Sequence, residues 1–176
     1  MHYVAWFIEW ATNGGEMIDQ MVSLSHTDWI VVNDTVMGGR STAFVSSFER
    51  GIRFEGILST EHNGGFNSTR SQVISNASTL IKSRGIQIEW EGSDRPFQMI
   101  VHLKNRQIRE YYRCWLTSQP SILEWRQFEF RRRGQIDTNR LLEDELEYID
   151  EIGILLSDGR DGPWWIEIHG VTLLEA

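Results

Sequence analysis

The sequence has 176 residues, of which 40% are hydrophobic and 24% are charged, and its formal net charge is −8. These values are typical of one globular domain, and the negative charge disfavours non-specific binding to nucleic acid or to an anionic membrane. The single cysteine, Cys114, excludes a disulfide framework or a cysteine-based metal cage within the chain. No charged segment precedes a long apolar stretch, and no apolar run approaches about 18 residues, so we expect a cytoplasmic protein without a transmembrane segment.

Residues 1–22 open with an apolar, aromatic run that a Gly-Gly pair interrupts, and we expect them to form an N-terminal arm or an extra element. From residue 23 to residue 176 we expect a single domain of short strands separated by turns. In the segment 97–103, for example, apolar residues occupy every second position, which is typical of a half-buried strand. The predicted strands are, in chain order, Trp29–Val32, Thr42–Phe48, Gly51–Leu58, Phe66–Gln72, Gly85–Trp90, Phe97–Leu103, Glu110–Leu116, Trp125–Arg131, Ile149–Leu156 and Trp164–Leu174.

One helix is predicted at Leu141–Ile149, where apolar residues recur near one face between acidic residues. A loop that contains one short helix fits this segment equally well. The predicted strands follow one another at intervals of roughly 8–12 residues, which favours a sandwich or barrel over a parallel sheet. The fold class expected from the residues is therefore all-β, with at most one or two short helices.

Two glycine-rich stretches are the most specific features of the sequence. They are WIVVNDTVMGGRS, residues 29–41, and GILSTEHNGGFNSTR, residues 56–70. In each stretch a Gly-Gly pair permits a positive φ angle or a close approach of other groups, and the Asn or Asp beside it can hydrogen-bond the local backbone. The pattern predicts two specified loops that lead into strands, and such loops carry either a binding site or a structural brace.

Asp34, Glu61 and His62 belong to these loops and allow two interpretations. If the loops converge, two carboxylates and an imidazole lie together, as the acid and base of a hydrolase do. In the structural interpretation, which we favour, Asp34 caps its turn. Glu61 then pairs with an arginine such as Arg40 or Arg70.

Signatures of catalysis and of cofactor binding are missing from the sequence. It contains no GxSxG, HExxH or phosphate-loop pattern, so we expect neither an enzyme nor a bound cofactor. Asp34 and Asn63 offer oxygen atoms of the kind that Ca²⁺ prefers, but no spacing matches a calcium-binding loop, so no metal site is predicted. The basic run Arg131–Arg133 follows aromatic residues, and in an acidic chain it favours a solvated strand end or an acidic protein partner over RNA.

Together the two glycine-rich stretches resemble the signature of the complex I intermediate-associated protein 30 family. The pattern is W-x-V-x-N-D-x-V-M-G-G-x-S, a strand, and then F-x-G-x-L-S-x-E-x-N-G-G-F-x-S-x-R. The C-terminal sequence IGILLSDGRDGPWWIEIHGV is similar to the closing hairpin of the family, so the resemblance covers about residues 23–175. The chain departs from the family pattern at His62, at Trp164–Trp165 and in a compressed segment after Trp125.

The resemblance implies a jelly-roll β-sandwich of the galactose-binding-domain-like type. Mitochondrial members of the family act as assembly factors for respiratory complex I, whereas related bacterial domains generally have no assigned role. The resemblance therefore implies a non-catalytic binding or assembly-factor module, here in a bacterial cytoplasm, whose partner is a protein assembly intermediate. The alternative is a carbohydrate or small ligand held by the loops around Asp34, Glu61 and Arg70.

The candidate site residues implied by the resemblance lie in the two stretches, where they serve either binding or structure. Arg70 is expected to brace the corner of the sandwich by bonding Asp34 or Glu61. The candidates are Asn33, Asp34, Met37, Gly38, Gly39, Ser41, Glu61, His62, Asn63, Gly64, Gly65, Phe66 and Arg70.

Overall fold

A computed structural model of the chain describes residues 20–175, apart from the side chains of residues 137 and 138. Within this range the chain forms β-strands that pair with their neighbours in antiparallel fashion throughout. The strands are β1 (Trp29–Asn33), β2 (Thr42–Phe48), β3 (Gly51–Leu58), β4 (Asn67–Gln72), β5 (Ser83–Gly92), β6 (Gln98–Leu103), β7 (Glu110–Trp115), β8 (Ser121–Glu124), β9 (Glu129–Arg132), β10 (Gln135–Arg140), β11 (Ile149–Leu156) and β12 (Gly162–Glu175).

The strands form two sheets that pack face to face. The seven-stranded sheet, named the large sheet below, has the order β1-β4-β11-β6-β7-β9-β10. The five-stranded sheet, named the small sheet, has the order β2-β3-β12-β5-β8. Neighbouring strands often come from distant parts of the chain, as in a jelly roll. The predicted all-β, jelly-roll sandwich is therefore confirmed. Among the described residues, no helix is long and apolar enough to cross a membrane.

The core lies between the two sheets and is lined by every second residue of the central strands. Met99 and Val101 of β6 are buried from the large sheet, and Trp164 and Ile166 of β12 are buried from the small sheet. The Trp164 ring meets the Phe54 ring edge-on, with centroids 4.6 Å apart. Because successive side chains of a strand alternate between its faces, the intervening residues lie on the outer faces of the sandwich.

The helical segments differ from the prediction. An α-helix forms at Ala77–Lys82, where none is predicted, and Asn76 caps it by accepting a hydrogen bond from the Thr79 backbone N at 3.0 Å. This capping residue is the sequence signal for the helix. At Leu141–Ile149 the predicted alternative of a loop with one short helix is confirmed, because the segment forms a 3₁₀ helix at Glu143–Tyr148 and not a continuous α-helix. Strand β11 begins directly after it and leaves room for only a short helix.

The strand predicted at Trp125–Arg131 is also corrected. Its first part is a 3₁₀ helix at Trp125–Gln127, and only its second part belongs to a strand, β9. The buried Trp125 indole donates a hydrogen bond to Ser83 Oγ at 3.0 Å, so a tight turn anchors this ring in the core. Strands β8 and β10 are not predicted, and β8 has only four residues, too few for alternation to be recognised.

The end of the predicted N-terminal arm packs against the domain. Met21 and Val22 are fully buried, and isolated bridges join Gln20 to Thr172 and Val22 to Val73. Residues 20–22 therefore contribute to the core. The rest of the predicted arm, residues 1–19, lies outside the described residues.

Candidate binding site

The two glycine-rich loops meet at one corner of the sandwich, named the Gly-Gly corner below (residues 34–41 and 59–66). Asp34 lies at its centre and is fully buried. Its carboxylate accepts hydrogen bonds from the Ser41 backbone N at 2.9 Å and from Ser41 Oγ at 2.5 Å. The Ser41 hydroxyl in turn accepts a hydrogen bond from the Ser59 backbone N at 3.0 Å, so it connects the first loop to the second.

The same carboxylate also bonds the second loop directly. It accepts hydrogen bonds from the backbone N of Gly65 at 2.6 Å and of Phe66 at 3.3 Å. A Cβ atom at Gly39 would lie 2.3 Å from Asp34 Oδ1, and one at Gly64 would lie 2.6 Å from Oδ2. These glycines are therefore required by the close approach of the carboxylate.

The charge state of Asp34 follows from these contacts. Burial by itself raises the pKa of Asp34, but the hydrogen bonds from Ser41 and from the second loop hold that pKa below its usual value. A carboxylate in this state is a poor proton donor, and its oxygens are already used by donors of the chain and not open to Ca²⁺. Asp34 therefore ties the two loops together, where the sequence predicts a cap of a single turn.

The other polar residues of the corner lie at its surface. Glu61 Oε2 pairs with Arg40 Nη1 at 2.7 Å, and both side chains are more than half exposed, so the predicted pairing of Glu61 with an arginine is confirmed. His62 and Asn63 are exposed and have φ angles of 56° and 60°, a left-handed conformation that is unusual for His62. Met37 is 65% exposed. These four candidates of the predicted site face solvent.

The predicted brace, Arg70, does not reach the corner. Its Nη1 pairs with Glu151 Oε2 at 3.2 Å, so the prediction that it bonds Asp34 or Glu61 is wrong. Strand alternation explains the difference: both neighbours of Arg70 in β4 are buried in the core, which places Arg70 on the outer face of the large sheet.

Asn33 takes part in a buried hydrogen-bond chain. Its Oδ1 accepts a hydrogen bond from Asn67 Nδ2 at 2.7 Å, and Asn67 Oδ1 accepts one from the Trp164 indole at 3.1 Å. The chain connects β1, β4 and β12 and satisfies polar groups between the sheets. Asn33 is thereby engaged in the fold.

Three guanidinium groups converge on one carboxylate at the outer face of the large sheet. Arg131 Nη2 lies 3.3 Å from Glu129 Oε2, and Arg140 Nη1 lies 3.2 Å from Glu129 Oε1. Arg113 Nη2 is 3.9 Å from the same Glu129 Oε2. These four residues are named the arginine cluster below. Among the described side chains, Glu129 is the only acidic partner within ion-pair distance of these three arginines.

Three arginine nitrogens on this face have no hydrogen-bond acceptor within the described part of the chain. They are the Nε atoms of Arg70, Arg113 and Arg131, each shielded from solvent. The Arg131 side chain is only 5% exposed, and an unpaired buried donor costs about 1–3 kcal/mol. The equally buried Arg95 differs, because its Nε and Nη2 donate to the two oxygens of Asp158 at 2.6 and 2.7 Å.

Aromatic side chains border the arginine cluster. The Arg113 guanidinium lies 4.8 Å from the centroid of the Trp115 ring, a cation–π contact, and Trp115 is 40% exposed. The His102 and Tyr111 rings are 5.8 Å apart. Burial and the positive charge of Arg70 lower the pKa of His102 to about 4, so His102 is neutral at pH 7 and adds no charge to this face.

The sequence singles out Arg131 of this face, within the basic run Arg131–Arg133, but it does not predict that Arg131 is buried or that Arg113 and Arg140 join it, although strand alternation contains a signal for this face. Arg113 and Trp115 alternate in β7 with Tyr112, which is buried in the core. Arg131 likewise follows Phe130, which is buried in β9. When the bounds of a strand are known, its alternation shows which residues face outward. Here the outward residues are charged or aromatic, which predicts a binding surface on this face.

One group of possible metal ligands occurs among the described residues, on the outer face of the small sheet. Glu91, Glu167 and His169 place one ligand atom each within 4.8 Å of one another. Glu167 already accepts a hydrogen bond from Arg53 Nη1 at 2.7 Å, and Arg53 Nε donates to Glu55 at 2.9 Å. A guanidinium therefore neutralises the carboxylate that a metal ion would require.

Solved structures with a similar fold include carbohydrate-binding modules. A family 11 module from Clostridium thermocellum, in complex with a beta-1,3-1,4-mixed-linked tetrasaccharide, is 16% identical and has a TM-score of 0.58. The match covers 89% of this chain and 95% of that chain. The family 11 module of the cellulase Lic26A-Cel5E of Clostridium thermocellum is 18% identical, with a TM-score of 0.56, over 85% of this chain and 88% of that chain.

An agarase, AgWH50C, is 9% identical with a TM-score of 0.53, and the match covers 87% of this chain but 24% of the enzyme. At these identities the likenesses show a shared fold. No curated protein matches the chain in sequence. The sequence does match a family description, complex I intermediate-associated protein 30 (CIA30), over residues 18–168. This match covers most of the chain, and the resemblance noted in the two glycine-rich stretches is confirmed: the chain belongs to the CIA30 family.

Proposed function

We propose that this chain is a non-catalytic binding domain with an assembly-factor-like role, which holds another protein on the outer face of its large sheet. The observation that carries the proposal is the excess of guanidinium groups over carboxylates in the arginine cluster, in which Arg140 is half exposed and the Nε atoms of Arg113 and Arg131 lack an acceptor, beside the exposed Trp115. Arginine and aromatic residues are enriched where proteins bind one another tightly. The family description, which refers to an intermediate of complex I, supports a protein as the partner.

The Gly-Gly corner supports the non-catalytic part of the proposal. The Asp34 carboxylate is held as an anion by four hydrogen bonds, and Glu61 is paired with Arg40 at the surface. Asp34, whose pKa is lowered, is not arranged as the proton donor of a hydrolase, which requires a raised pKa.

Cross-linking in the native cell tests this role. The tagged wild-type chain is expected to recover a defined protein partner, with cross-links that map to the large sheet by mass spectrometry. Trp115→Ala should weaken the recovery, whereas Phe44→Ala should not, because Phe44 is an exposed aromatic residue of β2 in the other sheet, at 56% exposure against 40% for Trp115. Recovery of no partner, or equal recovery with both variants, contradicts the proposal.

A carbohydrate ligand is the second candidate function. The chain has the fold of two modules from Clostridium thermocellum, one of them in complex with a mixed-linked tetrasaccharide, and the exposed Trp115 ring offers a flat apolar surface for a sugar. Isothermal titration with mixed-linked β-glucan oligosaccharides tests it. This candidate is supported if the wild type releases heat on binding and Trp115→Ala does not. It is rejected if the titrations show no heat of binding and a glycan array is also negative.

A further inference from the structure

We propose that the arginine cluster receives a carboxylate from an acidic segment of the partner protein. The inference rests on the proposed function, since it names the chemistry of the partner at the same face. It assigns a role to the positive charge of Arg113, Arg131 and Arg140, which Glu129 alone does not balance, although Arg113 Nη1 also donates a hydrogen bond to Gln98 Oε1 at 2.5 Å.

The arginine cluster contains more cations than anions. Each guanidinium offers five N–H donors, whereas Glu129 has two oxygen atoms. Arg131 and Arg140 take one oxygen each at 3.3 and 3.2 Å, and Arg113 is left at 3.9 Å. A cluster of three cations around one anion is stabilised by a second anion. The described side chains supply none within ion-pair distance.

The unpaired atoms of the cluster are guanidinium N–H donors, which a carboxylate binds well. A carboxylate binds a guanidinium best in a bidentate manner, through two parallel N–H groups. Arg95 illustrates this geometry in the same chain, with Nε and Nη2 both bonded to Asp158. Arg131 is as buried as Arg95, yet its Nε has no acceptor. A carboxylate from another molecule contacts the half-exposed Arg140 first, and it completes the same type of pair with Arg131 once the side chains that shield its Nε move aside.

The neighbours of the cluster favour a peptide over a sugar. Ile136 lies directly opposite Arg131 in the pairing of β10 with β9 and is 70% exposed. Trp115 lies on the other side, against Arg113. Apolar side chains on both flanks suit a segment in which acidic and apolar residues are interspersed, and recognition of acidic motifs by arginine clusters is a recurring mode of peptide binding.

A peptide titration tests the inference. The probes are a fluorescently labelled dodecapeptide with the repeat Glu-Ala-Leu and its counterpart with Gln in place of Glu, measured by fluorescence anisotropy. We expect the Glu peptide to bind at least about tenfold more tightly. The difference should shrink at high ionic strength, since screening weakens exposed charge pairs.

Matched variants locate the binding. Arg131→Gln and Arg113→Gln are each expected to weaken binding of the Glu peptide about tenfold. Arg131→Lys should restore it only in part, because lysine keeps the charge without the bidentate edge. The control is Arg53→Gln on the small sheet, where the guanidinium is already paired with Glu55 and Glu167 and lies 4.5 Å from the Trp165 ring. Its affinity for the peptide should equal that of the wild type.

Several outcomes overturn the inference. These are equal affinity for the two peptides, equal loss with Arg53→Gln, no binding at all, or binding of an oligogalacturonate in place of the peptide, which assigns the cluster to an acidic glycan. Thermal melting of each variant separates lost binding from lost folding, and Arg131→Lys provides the test if Arg131→Gln does not fold. If Trp115→Ala releases the cellular partner but Arg131→Gln does not, only the acidic chemistry fails; if neither releases it, the proposed binding face fails as well.

Discussion

The Gly-Gly corner and the outer face of the large sheet both gather polar side chains, and they differ in how those groups are paired. At the corner, the buried Asp34 carboxylate receives four donors from the chain itself. On the large sheet, shielded Nε atoms of Arg113 and Arg131 have no acceptor in the described residues. Polar groups that satisfy one another stabilise a fold, whereas groups left unpaired indicate a surface that another molecule can complete.

The largest effect on stability is expected from Asp34→Ala, which removes the centre of the corner. The variant leaves buried donors of both loops without an acceptor, so we expect the free energy of unfolding to fall by about 3 kcal/mol or more. Urea denaturation measures it. The control is Asp161→Ala, because Asp161 is exposed and accepts only the Thr60 backbone N, at 2.7 Å, which is worth about 1 kcal/mol. Similar losses in the two variants would contradict the central role of Asp34.

The next effect concerns the large sheet and depends on pH. The pKa of His102 is about 4 in the folded chain and about 6.5 in an unfolded chain, so between these values the unfolded chain alone binds the proton. Stability is therefore full above about pH 6.5 and decreases as the pH falls toward about 4, by on the order of 3 kcal/mol. Unfolding measured across this range should show the decrease in the wild type and lose most of it in His102→Gln. An unchanged slope in the variant would assign the decrease to other groups.

A smaller effect is expected from Gly39→Ala. The added methyl group would lie 2.3 Å from Asp34 Oδ1, so the corner must rearrange, at a cost of about 1–3 kcal/mol. In Gly38→Ala no atom lies within 4 Å of the new Cβ and only the φ angle of 90° is unfavourable, which costs roughly 1–2 kcal/mol. Thermal melting of the two variants compares them. A more stable Gly39→Ala than Gly38→Ala would show that the carboxylate moves aside easily.

The smallest effect is expected within the arginine cluster. Glu129→Gln leaves three guanidinium groups without their shared carboxylate and should cost about 1 kcal/mol, a modest value because Glu129 is one-third exposed. Arg140→Gln should change stability by less than about 0.5 kcal/mol, because Arg140 is half exposed. Urea denaturation of both variants tests this order. A larger loss of stability in Arg140→Gln than in Glu129→Gln would contradict the proposed excess of positive charge in the cluster.

Much of the fold could be predicted because alternation within a strand is a local property. The pattern of segment 97–103 predicts which side chains of β6 face the core, Met99 and Val101 among them, and the structure agrees; it does not predict that the outward-facing Gln98, Ile100 and His102 are buried as well. The segment after Trp125 could not be predicted in the same way, because a hydrogen bond to the distant Ser83 holds that ring in a turn. Local periodicity does not contain such long-range contacts.

The candidate site was harder to predict than the fold. The two glycine-rich stretches predict a shared corner, and Asp34 indeed joins them, but the pattern does not state whether the carboxylate is open or occupied. The role of Arg70 depends on which face of β4 its side chain occupies. The pairing of β4 with β11 places it beside Glu151 on the outer face, and the sequence alone does not contain this pairing. The arginine cluster combines β7, β9 and β10, and their order in the sheet is a property of the folded chain alone.

The ion pairs on the two outer faces have a consequence for how the molecule meets its partner. On the small sheet the single guanidinium of Arg53 contacts two carboxylates, with Glu91 nearby, whereas on the large sheet three guanidinium groups share Glu129. Packed sheets lie about 10 Å apart, so these two groups of side chains contribute a dipole perpendicular to the sheets, with its positive end on the large sheet. Near an acidic surface such a dipole rotates the molecule before contact. These groups therefore favour an encounter in which the large sheet faces an acidic partner, although the net charge of the chain is −8.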